Sequence, residues 1–184
     1  MIDYKLLTKS QEYYSSKGFQ ILETPWTVTE DIANITTPKN ADNWKIDSKD
    51  KVLVGSAEQG FLYLMNKGYL PKGKFQSIGP CFRSDSFSTT HTKYFVKNEL
   101  IITDEVEEHV LKELVQICLS FFRSIGLKGA SIKQTTEGLD IINNPHGSDM
   151  TELGSYGIRQ HKDMKWIYGT GCPEPRTSRL LAGG

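Results

Sequence analysis

CFRSDSFSTTHTKYFVKNELI, residues 81–101, is the stretch from which the rest of the chain can be organised. Two apolar-rich runs, 75–85 and 93–103, have strand composition, and the SFSTTHT between them has the Ser/Thr content of a loop, so together they predict an antiparallel hairpin with a long tip. Side chains alternate along a strand, which places Arg83 and Asp85 on one face of the first run and Phe95 and Glu99 on one face of the second. A guanidinium, an aromatic ring and two carboxylates on one surface suit a nucleotide: Arg83 to grip phosphate, Phe95 to stack on a purine, carboxylates to meet amino groups. The same pattern also describes a surface salt-bridge ladder with one core Phe, and exposed pairs of that kind contribute little.

Working outward, residues 3–17 space Leu6, Leu7, Tyr13 and Tyr14 as a helix that Gly18 ends, and 19–25 reads as extended, with Pro25 confined to a sheet edge or an interface. Residues 38–50 have loop or weak-hairpin composition, 51–55 predicts a short strand, and 57–67 a helix stopped by Gly68. Asp104 followed by Glu107 predicts a capped helix whose stripe runs through Val106, Val110, Leu114, Ile117, Cys118, Phe121 and Ile125 to Gly126. Strands are expected at 130–135, 138–143, 150–158 and 165–168, and a closing helix at 174–182. The sum is an α+β fold, a mainly antiparallel sheet flanked by helices.

With 184 residues, 38% of them hydrophobic, the chain predicts a single domain over 1–184 whose core needs neither metal nor disulfide. The odd count of cysteines (Cys81, Cys118, Cys172) argues for free thiols, and the absence of a signal peptide or of an apolar run long enough to span a bilayer predicts a cytoplasmic protein with no membrane partner. Twenty-two basic against 22 acidic residues exclude a global nucleic-acid footprint. Local basic clusters remain, Lys93 with Lys97, or Arg159 with His161, Lys162 and Lys165.

Two further segments carry chemistry. In GTGCPEPRTSRLL (169–181), Gly169 and Gly171 permit close backbone approach after a strand, and Arg176 opens the closing helix; the spacing fits neither a dinucleotide-binding nor a P-loop fingerprint. In ELGSYGIR (152–159), Glu152 and Ser155 reach one face only if a bulge intervenes, after which a carboxylate and a hydroxyl could hold Mg2+ on ATP phosphates. A zinc site drawing on Cys172 and Glu99 would lack a third ligand, since the GSAEQ loop at 55–59 has no cysteine.

Taken in order, these segments resemble the catalytic core of class II aminoacyl-tRNA synthetases, from about residue 15 to 181. Lys17, Gly18 and Pro25 resemble motif 1, which in the family forms a dimer interface. Arg83, Asp85, His91, Phe95 and Glu99 resemble motif 2, with Asp85 where Glu is usual. Gly169, Gly171 and Arg176 resemble motif 3, with Pro173 at the third small position. GSAEQ is similar to the Thr-x-Glu loop that several members use for the substrate's amino group.

The resemblance implies ATP-dependent activation of an amino acid to aminoacyl-adenylate and transfer to an acceptor: tRNA, a carrier protein, or another amine or hydroxyl. Arg83 and Arg176 would be catalytic. ATP would be held by Arg83, Asp85, His91, Phe95, Gly171 and Arg176, with Phe95 and Arg176 on either side of adenine, and by Glu152 and Ser155 through Mg2+. Ser56, Glu58 and Glu99 would face the amino acid, the two carboxylates its α-amino group and, by the same charge, favouring cationic or polar substrates; Gln134, Asp140 and His146 are side-chain candidates. No anticodon-binding domain is expected, and a homodimer is. Alternatives are an amidating ligase similar to ammonia-dependent asparagine synthetase, and a regulatory paralogue without catalysis.

Overall fold

The computed structural model describes residues 1–39, 41–46, 50–83, 94–144 and 150–183. The expected hairpin is there: β4 (Lys74–Phe82) and β5 (Tyr94–Ile102) pair antiparallel in unbroken register from Lys74↔Ile102 to Phe82↔Tyr94. β4 ends at Phe82, so Arg83 stands just past the strand; Asp85 and the tip fall outside the described residues.

Around the hairpin grows a seven-stranded sheet in the order β1-β4-β5-β9-β8-β7-β6, formed with β1 (Gln20–Ile21), β6 (Ala130–Gln134), β7 (Leu139–Asn143), β8 (Thr151–His161) and β9 (Met164–Glu174). Only β1 runs parallel to its neighbour, and it lies at the edge; Pro25 falls between it and the next strand, in neither. β2 (Thr27–Thr29) and β3 (Lys51–Leu53) form a separate two-stranded ribbon.

α1 (Tyr4–Ser15) starts where the Asp3 carboxylate accepts from the Lys5 and Leu6 N–H groups, and the chain leaves it through Gly18 at φ +87°. α4 (Glu108–Ser124) buries Val110, Leu114, Cys118 and Phe121 from the predicted stripe and also Leu111, Val115, Leu119 and Phe122, while Ile117 and Ile125 are only half-buried. The expected capping box does not form. Asp104 accepts from the adjacent Glu105 N–H, Val106 is drawn into the core, and the helix begins only after Glu107, which makes no side-chain cap. α1 and α4 cover one face of the sheet over a core that includes Leu7, Tyr14, Leu100, Phe121, Phe122 and Tyr156. The other face is partly covered by α2 (Glu30–Ala33), α3 (Ala57–Asn66) and the ribbon, which bury Phe61, Leu62, Ile101 and Trp166. The rest of that second face is left for the site.

β8 and β9 run well beyond the lengths expected, and the glycines that read as a loop after a strand lie inside β9. Between Glu99↔Thr170 and Asn98↔Cys172 the register slips, leaving Gly171 unpaired as a bulge. Its carbonyl accepts from the Tyr14 hydroxyl (2.9 Å), and the neighbouring Thr170 carbonyl from the Tyr156 hydroxyl (2.7 Å), so two buried tyrosines satisfy backbone groups released by the irregularity. A Cβ on Gly171 would lie 2.8 Å from Tyr14 Cε2 and 3.1 Å from the Asn98 carbonyl oxygen. Beyond the bulge, β9 leads into α5 (Arg176–Ala182), where the buried Glu174 carboxylate accepts from the Asp3 N–H with one oxygen and from the Ser178 N–H with the other.

Candidate active site

Period-two alternation decides what faces the open side of the sheet. On β5 it presents Phe95, Lys97 and Glu99, while Asn98 points the other way and donates to Ser10 Oγ and Gln76 Oε1 beneath α1. Thr170 stands opposite Glu99, and Tyr168, Trp166, Gly157 and Arg159 follow through the β9–β8 pairing. Of these, Lys97, Glu99, Thr170, Tyr168 and Arg159 line a cavity of about 220 Å3, together with residues 36–38 and 41–43 and the start of α3.

Groups suited to a nucleotide stand at the Arg83 end, where Arg83 lines the cavity and Phe95, Arg176 and Glu152 lie outside its lining. Arg83 Nε donates to the Gly55 carbonyl (3.2 Å), and the guanidinium lies 5.2 Å above the Phe95 ring, so Arg83 itself takes one face of the ring expected to stack on adenine. Arg176 reaches in from α5: Nη1 donates to the Glu152 carbonyl (2.9 Å) and lies 3.7 Å from its carboxylate. Burial lowers the pKa of Arg176; Glu152 opposes that and the like charge of Arg83 adds to it. Guanidinium groups such as these are suited to the oxygens of a polyanion. His91 lies outside the described residues, as do Asp85 and His146.

The inferred bulge in ELGSYGIR is present. Pairing steps from Ile142↔Glu152 to Ile141↔Gly154, leaving Leu153 as the extra residue and turning Glu152 and Ser155 to one face. Asp140, directly opposite Ser155 and hydrogen-bonded to it, has its pKa raised by burial, with Glu152 adding to the shift. Among the described residues no group of three or more His, Cys, Asp and Glu is gathered as a metal cage. Glu152 and Ser155 nevertheless supply the hard oxygen donors that suit Mg2+, an ion commonly held by one or two carboxylates plus phosphates. Zinc between Cys172 and Glu99 is excluded by geometry: Cys172 pairs with Asn98 on the helix-covered face, and Glu99 projects from the other. The buried Cys172 thiol is pushed up to about 12 and bonds Thr177.

The other end differs from expectation. Ser56 donates to both oxygens of Glu99 (2.8 Å each), and the Glu58 N–H approaches it at 3.3 Å, which fixes the start of α3 to β5. Glu99 is also paired with the buried ammonium of Lys97 at 2.7 Å. Glu58 does not stand ready for a cation: one oxygen accepts from Trp166 Nε1 (2.7 Å), the other from Arg159 Nη1 (2.6 Å). Burial raises the Glu58 pKa against the pull of Arg159, and Glu99 adds to the rise. Burial works against the Arg159 charge, and the Glu58 carboxylate more than compensates, so the guanidinium is firmly cationic. Gly171 serves Tyr14 on the opposite face rather than bordering the cavity. Gln134 is exposed on edge strand β6.

Lys97 and Arg159, grouped by sequence with surface basic clusters, are instead parts of this site. Period two already put Lys97 beside Glu99. Arg159 is in phase with Ser155 and Gly157, and was lost only because the strand was expected to stop at 158.

A model of the tRNA synthetases class II core domain (F) matches residues 7–168. Among solved structures, the fold is similar to seryl-tRNA synthetase from Pyrococcus horikoshii complexed with ATP (17% identity over 97% of this chain and 49% of that one, TM-score 0.75). It is similar also to cytoplasmic serine-tRNA ligase from Naegleria fowleri in complex with AMP (15%, 94% and 46%, TM-score 0.70). A third is PylSc, a pyrrolysyl tRNA synthetase from Desulfitobacterium hafniense (18%, 98% and 67%, TM-score 0.71). The chain spans about half the length of the two serine enzymes, and at these identities the likeness is one of fold. No curated protein sequence matches significantly.

Proposed function

The chain belongs to the tRNA synthetases class II core domain family, and from that premise we propose that it joins an amino acid to ATP as an aminoacyl-adenylate and passes the acyl group to an acceptor. The observation that supports this reading is the stacking of Arg83 over Phe95 beside the Ser56–Glu99 pair, with Arg176 held at Glu152. In this reading an oxygen of the substrate carboxylate attacks the α-phosphorus and pyrophosphate leaves with the electron pair of the broken P–O bond. No side chain need take a proton, and the protein acts by alignment and by cations preset where charge accumulates. Arg83 holds the α-phosphate and the carboxylate, and Arg176 the outer phosphates. Asp85 and His91 orient the nucleotide, and Phe95 stacks on the base with the face that Arg83 leaves open. Glu152 and Ser155 would hold Mg2+, which would supply further neutralisation of the phosphates. Ser56 and Glu99 face the amino acid, Glu99 with its charge already met by Lys97.

Transfer to tRNA, to a carrier protein or to another amine remains part of the proposal, as do the single domain over 1–184, the homodimer through the segment around Pro25 and the cytoplasmic location. The three cysteines are buried free thiols, which suits a reducing compartment, and no helix among the described residues is long and apolar enough to cross a membrane.

The test is amino-acid-dependent exchange of labelled pyrophosphate into ATP. Exchange is expected with one or a few amino acids, and Arg83→Ala should reduce it by about a hundred- to thousandfold, the usual loss for a preset charge-stabilising donor. Absence of exchange with every amino acid tried would overturn adenylation.

A further inference from the structure

Besides Arg83 and Lys97, the cavity is lined by one further cation among the described residues, held from behind. Arg159 lines the cavity with its side chain one-third exposed, while everything that fixes it comes from the sheet or from α3. Its guanidinium lies 4.0 Å over the Tyr168 ring, and Nη1 is bonded to Glu58, itself anchored by Trp166. The platform needs Gly157: a Cβ there would stand 2.8 Å from the Tyr168 hydroxyl oxygen and 2.9 Å from Cε1, so no larger residue lets the ring lie across β8. A stacked guanidinium with one edge committed presents its remaining N–H donors in a fixed plane, the geometry that accepts a planar pair of oxygens. The carboxylates that might have favoured a cationic substrate are matched already, Glu58 by Arg159 and Glu99 by Lys97. A positively charged side chain entering here would meet two fixed cations.

We propose that this cavity selects an amino acid whose side chain ends in a carboxylate or carboxamide, with Arg159 reading the terminal oxygen. The inference rests on the reading that the cavity holds an amino acid, and it reverses the preference that Glu58 and Glu99 suggested from sequence. Glu58, Trp166, Tyr168 and Gly157 are positioning residues for Arg159.

The experiment measures both binding and exchange with the full chain. Calorimetric titration with aspartate, glutamate, asparagine, glutamine, serine, alanine and lysine, without ATP, is run beside the pyrophosphate-exchange screen. Removing Arg159 alone would leave Glu58 buried and unpaired, so the variant is the matched Glu58→Gln/Arg159→Gln, checked for folding by its thermal transition. The expected result is tightest binding by an acid- or amide-ended member of the set, the acid and amide arms showing which of the two oxygens is read. In the paired variant its Kd and KM should rise about ten- to a hundredfold, the loss typical of a charge-assisted hydrogen bond, with KM for ATP unchanged. Preference for serine, alanine or lysine, or equal affinity in the variant, overturns the inference and leaves adenylation standing. Binding that depends on Arg159 without exchange upholds the inference and overturns adenylation; neither binding nor exchange overturns both.

Discussion

Gly171→Ala tests whether the bulge in β9 is held by the ring of Tyr14. The added methyl would sit 2.8 Å from Tyr14 Cε2 and 3.1 Å from the Asn98 carbonyl oxygen, both inside ordinary contact distance, and neither neighbour is a flexible side-chain end. Tyr14 is fully buried and its hydroxyl is committed to the Gly171 carbonyl, so the ring cannot move without breaking that bond. Overpacking of this kind costs about 2 kcal/mol. For a chain of this length that corresponds to a fall of about 4–8 °C in Tm. Tyr14→Phe removes the hydroxyl alone and should cost about 1–2 kcal/mol, because a buried carbonyl loses its donor. The decisive measurement is the double variant Gly171→Ala/Tyr14→Leu, followed by urea unfolding with circular dichroism. Leu vacates the space the methyl needs, so the combined loss should fall short of the sum of the single losses by about 1 kcal/mol or more. Strict additivity would refute the proposed contact.

Lys97→Met should be far more damaging than a surface charge deletion, by about 3–5 kcal/mol in urea unfolding, since it strands the buried Glu99; Lys97→Met/Glu99→Gln should recover most of that loss. Glu58 has a folded-state pKa raised above its ordinary 4.5, so the native protein binds the proton more tightly than the unfolded chain, and its contribution to stability is largest at low pH and lost as pH climbs through the raised value. The urea midpoint of Glu58→Gln, followed upward from pH 4.5, should lack that component of the slope; an unchanged slope would contradict the assignment. The thiols of Cys81, Cys118 and Cys172 are all pushed up to about 12 by burial, so a thiol reagent at pH 8 should label native protein only as fast as it opens and all three sites at once in denaturant.

What sequence could reveal was local and periodic. The hairpin, α3 and α4 follow from alternation, a 3.6-residue stripe and glycines at Gly68 and Gly126, both of which have positive φ. The full length of β9 was hidden because Gly169, Gly171 and Pro173 are poor strand formers; the two glycines are accommodated there because Tyr156 and Tyr14 fill the space beside them and bond the Thr170 and Gly171 carbonyls. In the site, Arg83 near Phe95 could be anticipated from strand alternation, whereas the hold of Glu152 on Arg176 could not. The partners of Glu58 could not, since Arg159 and Trp166 stand 101 and 108 positions away and meet it only through the pairing of β8 with β9. That distance is what turned an expected receptor for cations into the support of one.

Glu174 gives the fold a mechanical shortcut. Residue 3 and residue 178 hang from the two oxygens of one carboxylate, which places the first helix and the last on a common hinge pin two residues from Arg176. A fusion or tag that tugs at residue 3 is therefore felt near Arg176, the arginine proposed for the outer phosphates, and an extension grafted onto either helix acts as a lever on the same spot.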